Sequence, residues 1–380
     1  MPRIQARRTW LRSWGALTLA FGCSCAALAA DYTSSVLASG LNNPRGLAFG
    51  PDGALYITEA GIAAGSGPST IVRGAAHTYT ETGSLTRYLG GTQTRVLTGL
   101  PSIYTAGSLE VVGPNGITFA PSGAPVLTIG AGIDPTLRAT DLAPVGANLS
   151  RLLTFGSSID LGAYEALNNP AGGLLDTNPW HVAAVAGGYL VTDAGGNSLL
   201  RVAGDGTIST VASFASRALG GPAPTEPVPT GIAVGPDGAY YVSELTGFPF
   251  VPGAARIYRI APGGTPTIFA SGFTMLSDIA FGADGSLYAL EYDSNGLLAP
   301  GSGGALWRVA SDGSRSLVFN DGLVSPTGLA IGADGFYVSN FGSSSGQGQV
   351  LLIAAIPEPE TYALMLLGLG ALGVMRRRRS

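Results

Sequence analysis

One short motif recurs six times along this chain, and recurrence of that kind leaves few folds open. It reads PRGLAFGPDGALYITE from Pro44, PNGITFAPSGAPVLTI from Pro114, VPTGIAVGPDGAYYVSE from Val228, LSDIAFGADGSLYALE from Leu276 and SPTGLAIGADGFYVSN from Ser325. PWHVAAVAGGYLVTD, from Pro179, is a degenerate sixth copy. The anchor positions Gly46, Gly116, His181, Gly231, Asp278 and Gly328 are 70, 65, 50, 47 and 50 residues apart. Three spacings are near fifty, and the first two carry insertions.

Each copy opens with about five apolar or alternating β-formers and reaches a tight turn such as Pro51-Asp52-Gly53. It then continues into a second strand rich in Tyr, Val and Ile. Glycine supplies the positive φ such a hairpin needs. A second hairpin follows, visible as SLTRYLGGTQTRVLTG, SLLRVAGDGTISTVAS, RIYRIAPGGTPTIFASG and LWRVASDGSRSLVFNDG. No helical periodicity of useful length interrupts the strands, which excludes α/β alternatives. The expected fold is all-β, a six-bladed β-propeller of four-stranded antiparallel blades. The last copy stops at three strands, and TSSVLASGL (Thr33 to Leu41) matches the fourth-strand segments TPTIFASGF and TQTRVLTGL. The N-terminal strand is therefore expected to close the last blade and remove its edge.

Both ends carry other information. Arg3, Arg7, Arg8 and Arg12 precede an apolar stretch from Trp14 to Leu28 that ends in small residues, so residues 1–30 read as an export signal cut after Ala29 or Ala30. RRTWLR also fits a twin-arginine signal, and the export route stays open. Cys23 and Cys25 both lie inside this segment, so the mature chain has no thiol for disulfides, zinc or nucleophilic catalysis. There is no lysine, and between Asp31 and Ile356 twelve arginines face twenty-two carboxylates. So acidic a body speaks against a nucleic-acid partner, whose binding draws on basic side chains.

At the other end, Thr361 to Met375 are fifteen uncharged residues. As a helix they rise about 22 Å, against a hydrocarbon core of about 30 Å. Pro357 and Pro359 prevent a backward extension. A short transmembrane helix of temporary use is expected, with Arg376, Arg377, Arg378 and Arg379 on the cytoplasmic side. Pro357-Glu358-Pro359, an apolar helix and a terminal arginine cluster together resemble the PEP-CTERM sorting signal. That resemblance implies an exosortase and the export machinery as partners, and contact with the membrane through the helix before processing. The body would be tethered at the inner membrane and then delivered to the outer envelope or extracellular matrix. The resulting division is 1–30 signal peptide, 31–355 propeller and 356–380 sorting signal.

The body between the signals resembles the ScyD/ScyE family, exported propellers of the NHL/TolB-like kind. The resemblance rests on GSLTRYLGGTQTRVLTGLPS, DPTLRATDLAPVGANLSRLL, LGAYEALNNPAGGLLDTNPW, TDAGGNSLLRV and SELTGFPFVPGAARIYRIAPGGTPTIFASGF. It covers nearly all of residues 32–354, and what it implies is fold and export rather than chemistry.

For chemistry, the residue ending the second strand of each copy is Glu59, Ile129, Asp193, Glu244, Glu291 and Asn340. Five oxygen-bearing side chains at one channel mouth could hold Ca²⁺, as in metal-dependent propeller lactonases. The alternative is that each bonds its own blade, with arginines such as Arg201, Arg259 or Arg308 as partners. Glu291-Tyr-Asp293-Ser-Asn295-Gly296 echoes the opening of a calcium loop but equally reads as a turn, and no carboxylate stands at Ser302. Of the two histidines, His77 is expected exposed and His181, beside Trp180, packed or facing the channel. No Ser-His-Asp order, phosphate loop or dinucleotide fingerprint appears. Insertions at 61–82, 133–147 and 162–179, with the Phe248-Pro249-Phe250 turn, could build a binding rim exposing Tyr164, Trp180 and Phe250. The expected function is a binding or scaffold module for a small molecule, glycan or protein, with a Ca²⁺-dependent lactonase-like hydrolase as the alternative.

Overall fold

The computed structural model describes residues 31–356 apart from 109, 155 and 300–302. The export signal with Ala29 and Ala30, and the tail from Pro357 to Arg379, lie outside the described residues. Among the described residues no helix is long and apolar enough to cross a membrane.

Six antiparallel sheets follow one another along the chain. Their innermost strands are Pro44–Phe49, Pro114–Phe119, Pro179–Val185, Pro229–Val234, Leu276–Phe281 and Gly328–Gly332, which number the blades one to six. Blades two to five are four-stranded meanders. Blade six is completed by the N-terminal strand Tyr32–Leu41, which pairs antiparallel with Gly348–Ala355 from Tyr32 opposite Ala355 to Leu41 opposite Gly348. The ring is thus closed by main-chain hydrogen bonds between the two ends of the domain, as expected from the truncated last repeat.

The anchor glycines are explained by close approach of backbones. A Cβ on Gly46 would lie 2.7 Å from the Asn115 carbonyl oxygen, one on Gly116 2.7 Å from the His181 Cα, and one on Gly231 2.6 Å from the Ile279 nitrogen. Each anchor leans on its counterpart in the next blade, where no side chain fits. In five blades the pairing of first and second strand slips by a residue beside the anchor, a bulge that turns the strand at the axis. Six hydroxyls then link each blade to the next. Thr58 donates to the Asn115 carbonyl, Thr128 to Trp180, Thr192 to Thr230, Thr230 to Leu276, Ser277 to Pro326, and Thr327 to Pro44.

The core lies between blades rather than within one. Tyr241, Ile257 and Phe273 of blade four pack on Leu276, Ile279 and Leu287 of blade five, and Leu41 and Val350 of blade six pack on Leu47 and Ile57 of blade one. An additional apolar cluster, Tyr79, Ile103, Ile129, Ile133, Leu142 and Leu149, sits under the insertions of blades one and two. Blade one carries the largest elaboration. Its strands Ala75–Leu89 and Thr92–Thr105 run far past the blade, where the upper part pairs with Ser69–Val72 and Val111–Val112.

One element escaped the sequence reading. Among the described residues one α-helix, Leu161–Asn168, links blades two and three; the Asp160 side chain caps it by accepting from the Ala163 N–H. Eight residues are too few for their periodicity to stand out from an apolar loop.

Candidate functional site

Every long connection leaves the blades at the ends where second strands finish and first strands begin, so one face is built of insertions and the other of short Asp-Gly or Gly turns. The insertion face surrounds the axis. The axis itself is filled. Arg45, buried, donates to the carbonyls of Gly342 and Val111 and lies over the Trp180 ring, its guanidinium carbon 5.6 Å from the ring centre. Trp180 Nε1 donates across to the Ser277 carbonyl at 3.3 Å. His181 Nε2 stands 3.7 Å from Asp278 Oδ1, and Asp278 accepts the N–H groups of Ile279 and Leu329. Burial pushes the Asp278 carboxyl up and the Arg45 guanidinium down, each opposed by its neighbours: His181 for Asp278, and Tyr292 and Glu110 for Arg45. The two anchors that are not glycine therefore serve as an axial plug, and His181 packs in the channel.

The expected ring of oxygen ligands is not assembled. Glu59 accepts from Asn42 N–H, the Thr86 hydroxyl, and Arg95 at 2.8 and 3.0 Å. Asp193 accepts from the Thr177 hydroxyl and from the N–H groups of Asn178 and Gly196. Glu244 holds Arg217 at 2.6 Å and the Tyr258 hydroxyl. Glu291 takes the Thr274 N–H, the Ser294 hydroxyl and Trp307 Nε1, each at 2.8 Å. Asn340 bridges the Val324 N–H and the Gly322 carbonyl. Each side chain turns into its own blade and satisfies donors of the adjoining loop. Among the described residues no group of three or more His, Cys, Asp or Glu is placed to hold a metal ion. Ca²⁺ takes six to eight oxygens around one centre, and as placed the five side chains do not converge on one. The partners include Arg95 and Arg217 rather than Arg201, Arg259 or Arg308. Asp293 likewise accepts from the N–H groups of Asn295 and Gly296, which makes the Glu291–Gly296 segment a turn.

Nor do the aromatic residues converge. The Tyr164 hydroxyl bonds Thr210 at 2.9 Å, Trp180 lies in the axis, and Phe248 and Phe250 meet edge-on at 6.2 Å beside blade four.

What the insertions build instead is a cleft of about 340 Å³ over the axial mouth, with Arg73, His77, Glu110, Asp176, Asn178 and Glu226 as its polar lining. Val72, Ile103, Val112, Ala131 and Val228 supply the apolar wall. Arg73 and Gly74 form the two-residue turn of a hairpin, with φ of 49° and 83°. The Arg73 guanidinium reaches Asp176 Oδ2 at 3.1 Å and Glu226 at 4.0 Å. His77, expected exposed, is half-buried in the cleft wall with Nδ1 3.1 Å from the Ala75 carbonyl oxygen.

Behind Asp176 lie Asp193 and Glu165, packed around Gly195 and Gly196. Burial pushes the Glu165 carboxyl up to about 8, with the charges of Asp193 and Asp176 adding to it. Burial also pushes Asp176 up to about 7; Arg73 opposes that rise, and Asp193 and Glu226 reinforce it. Carboxyls poised near neutrality beside a cleft mark it as the molecule's candidate site. Sequence reading missed Arg73, Glu110, Asp176 and Glu226. The signal that could have found the first and third is that they are charged residues within insertions the repeat does not explain.

Among solved structures, a gluconolactonase from Xanthomonas campestris is similar at a TM-score of 0.52 and 14% identity, covering 87% of this chain and 93% of that one. A putative gluconolactonase follows at TM-score 0.49 and 13% identity, covering 86% and 94%. Virginiamycin B lyase from Staphylococcus aureus, in complex with quinupristin, gives 0.47 at 17%, covering 86% and 99%. At such identities the Xanthomonas likeness shows the propeller fold alone. No curated protein matches the chain. Residues 355–379 match the PEP-CTERM protein-sorting motif, which implies exosortase-sorted export and membrane-associated sorting.

Proposed function

We propose that the protein is an exported binding module, of the ScyD/ScyE-like kind, that presents the cleft over its axial mouth to a small molecule or glycan of the cell envelope or exopolysaccharide matrix. The observation that carries this reading is the contrast in saturation. The repeat carboxylates are consumed within their blades, whereas Asp176 faces a cleft with an oxygen unused. The sorting motif supports delivery outside the inner membrane. The local hydrogen bonds of Glu59, Asp193, Glu244, Glu291 and Asn340 favour this reading over the calcium-dependent hydrolase.

Calorimetry of the full chain against fragments of the producing cell's own matrix tests the proposal. Saturable binding that Asp176→Asn weakens is expected. Turnover of a lactone or ester, lost in the same variant, would make the protein an enzyme and displace this reading.

A further inference from the structure

The cleft carries charge that the fold does not use. Glu110, Asp176 and Glu226 line it against one guanidinium, Arg73. Asp176 is 8% exposed; its Oδ2 holds Arg73 while its Oδ1 is buried with no hydrogen-bond partner. Deeper in, Glu165 is 1% exposed and both of its oxygens lack a partner. A buried oxygen without a donor costs stability unless something supplies one. Gly195 lines the cleft beside Asp176, and a Cβ there would stand 2.7 Å from Oδ1.

The chemistry that would complete this wall is a hydrogen-bond donor carrying positive charge. An anion would meet three carboxylates, and the Arg73 side chain, 65% exposed at the tip of its turn, is already engaged by two of them. A metal ion has no trio of ligands among the described residues. The apolar wall of Ile103, Val112, Ala131 and Val228 suits a short carbon skeleton behind the charged head. Resting on the reading of the cleft as a binding site, we propose that it takes a cationic organic ligand. Its ammonium or guanidinium group sits between Asp176 and Glu226 and donates to the Asp176 carboxylate.

Butylguanidinium and butylurea have the same shape and differ in charge, so they isolate this claim. Titrated into the full chain in mild detergent, butylguanidinium should bind with Kd of about 1 mM or tighter, and at least about tenfold more tightly than butylurea. Asp176→Asn should weaken it about tenfold, and Glu226→Gln, at the more exposed rim, about threefold, with melting curves confirming that both variants fold. Binding should also strengthen from about pH 6 to 8 as the Asp176 carboxyl sheds its proton against Arg73, Glu226, Asp193, Glu165, Glu110 and His77. Equal binding of the two probes, indifference to both substitutions, or no saturable binding of butylguanidinium would overturn the cationic class. So would displacement of butylguanidinium by calcium. If the cationic probe fails while matrix fragments still bind through Asp176, only the ligand class falls; if both fail, the binding-site reading falls with it.

Discussion

Two sets of acidic side chains occupy this propeller, and they behave differently. One set comes with the repeat. Asp52, Asp237 and Asp284 stand at equivalent turns of blades one, four and five, and each accepts from an N–H two residues on: Ala54, Ala239 and Ser286. Each also faces an arginine of its own third strand: Arg87 at 2.7 Å, Arg259 at 2.7 Å and Arg308 at 3.6 Å. Glu59, Glu244 and Glu291 repeat in the same way at the ends of second strands. The other set, Glu165, Asp176 and Glu226, lies in connections outside the repeat. Burial raises carboxyls in both sets, Asp193, Glu244 and Asp278 among the repeat positions, but among the described residues the buried carboxylate oxygens without a partner belong to Glu165 and Asp176 alone. A position the repeat copies is one each blade needs for itself. Charge that appears once answers to something else.

The sharpest way to break this division is to remove a repeat element with no charge at all. Deleting residues 32–41 strips the strand that seals blade six and, with Ala38 and Leu41 gone, uncovers Val350 and the Leu47 and Ile57 side chains of blade one. The deleted chain should lose its single cooperative melt in calorimetry. A sharp transition at the parental temperature would mean that ring closure does not hold the blades together.

Next in size is Glu244→Ala. It leaves Arg217, mostly buried, without its carboxylate and takes the acceptor from the Tyr258 hydroxyl. Breaking such a pair should cost about 3–5 kcal/mol in urea unfolding. If Glu244 were instead a ligand position, removing it would leave stability nearly unchanged and alter binding.

Glu165→Gln should do the reverse. The folded chain holds this proton up to about pH 8, against an ordinary value of 4.5. Between those values the folded state binds more protons than the unfolded one, so wild-type stability falls as pH rises through that window and levels off above it. The amide removes most of that slope and should be the more stable protein by roughly 2 kcal/mol at about pH 9, with little difference near pH 4. A residual slope belongs to Asp176, whose carboxyl is raised to about 7. Parallel pH profiles for the two proteins would show that Glu165 finds a partner in solution.

The same division explains what could be read before the structure. Blade number, strand order and closure were legible because a repeat states its rule six times: a hairpin turn misread in one copy is corrected by the next. That logic also led to the ring of Glu59, Asp193, Glu244, Glu291 and Asn340, since equivalent positions do end at one face. Repetition says where a side chain starts and not which way it turns, and here each turns onto loop donors such as Asn42, Asn178 and Thr274. The cleft was not legible. Arg73 and Asp176 are 103 residues apart, and their contact depends on a two-residue turn of blade one reaching the connection between blades two and three. His77 read as a loop residue among Gly and Thr, whereas the long strand of blade one carries it into the cleft wall.

The smallest effect tests the repeat set at its most exposed point. Arg308 lies 3.6 Å from Asp284 on the turn face, and both side chains are more than half exposed. Water competes for such a pair and salt screens it. Its guanidinium also donates to the Ser286 hydroxyl, which itself bonds Asp284, so the turn keeps its inner hydrogen bonds when the arginine is removed. Arg308→Ala should therefore cost at most about 0.5 kcal/mol, with no dependence on ionic strength above about 0.15 M. A loss of several times that size would mean that repeated charges hold the blades even where water reaches them. The carboxylates of the insertion face would then stand out by their missing partners alone, not by their place outside the repeat.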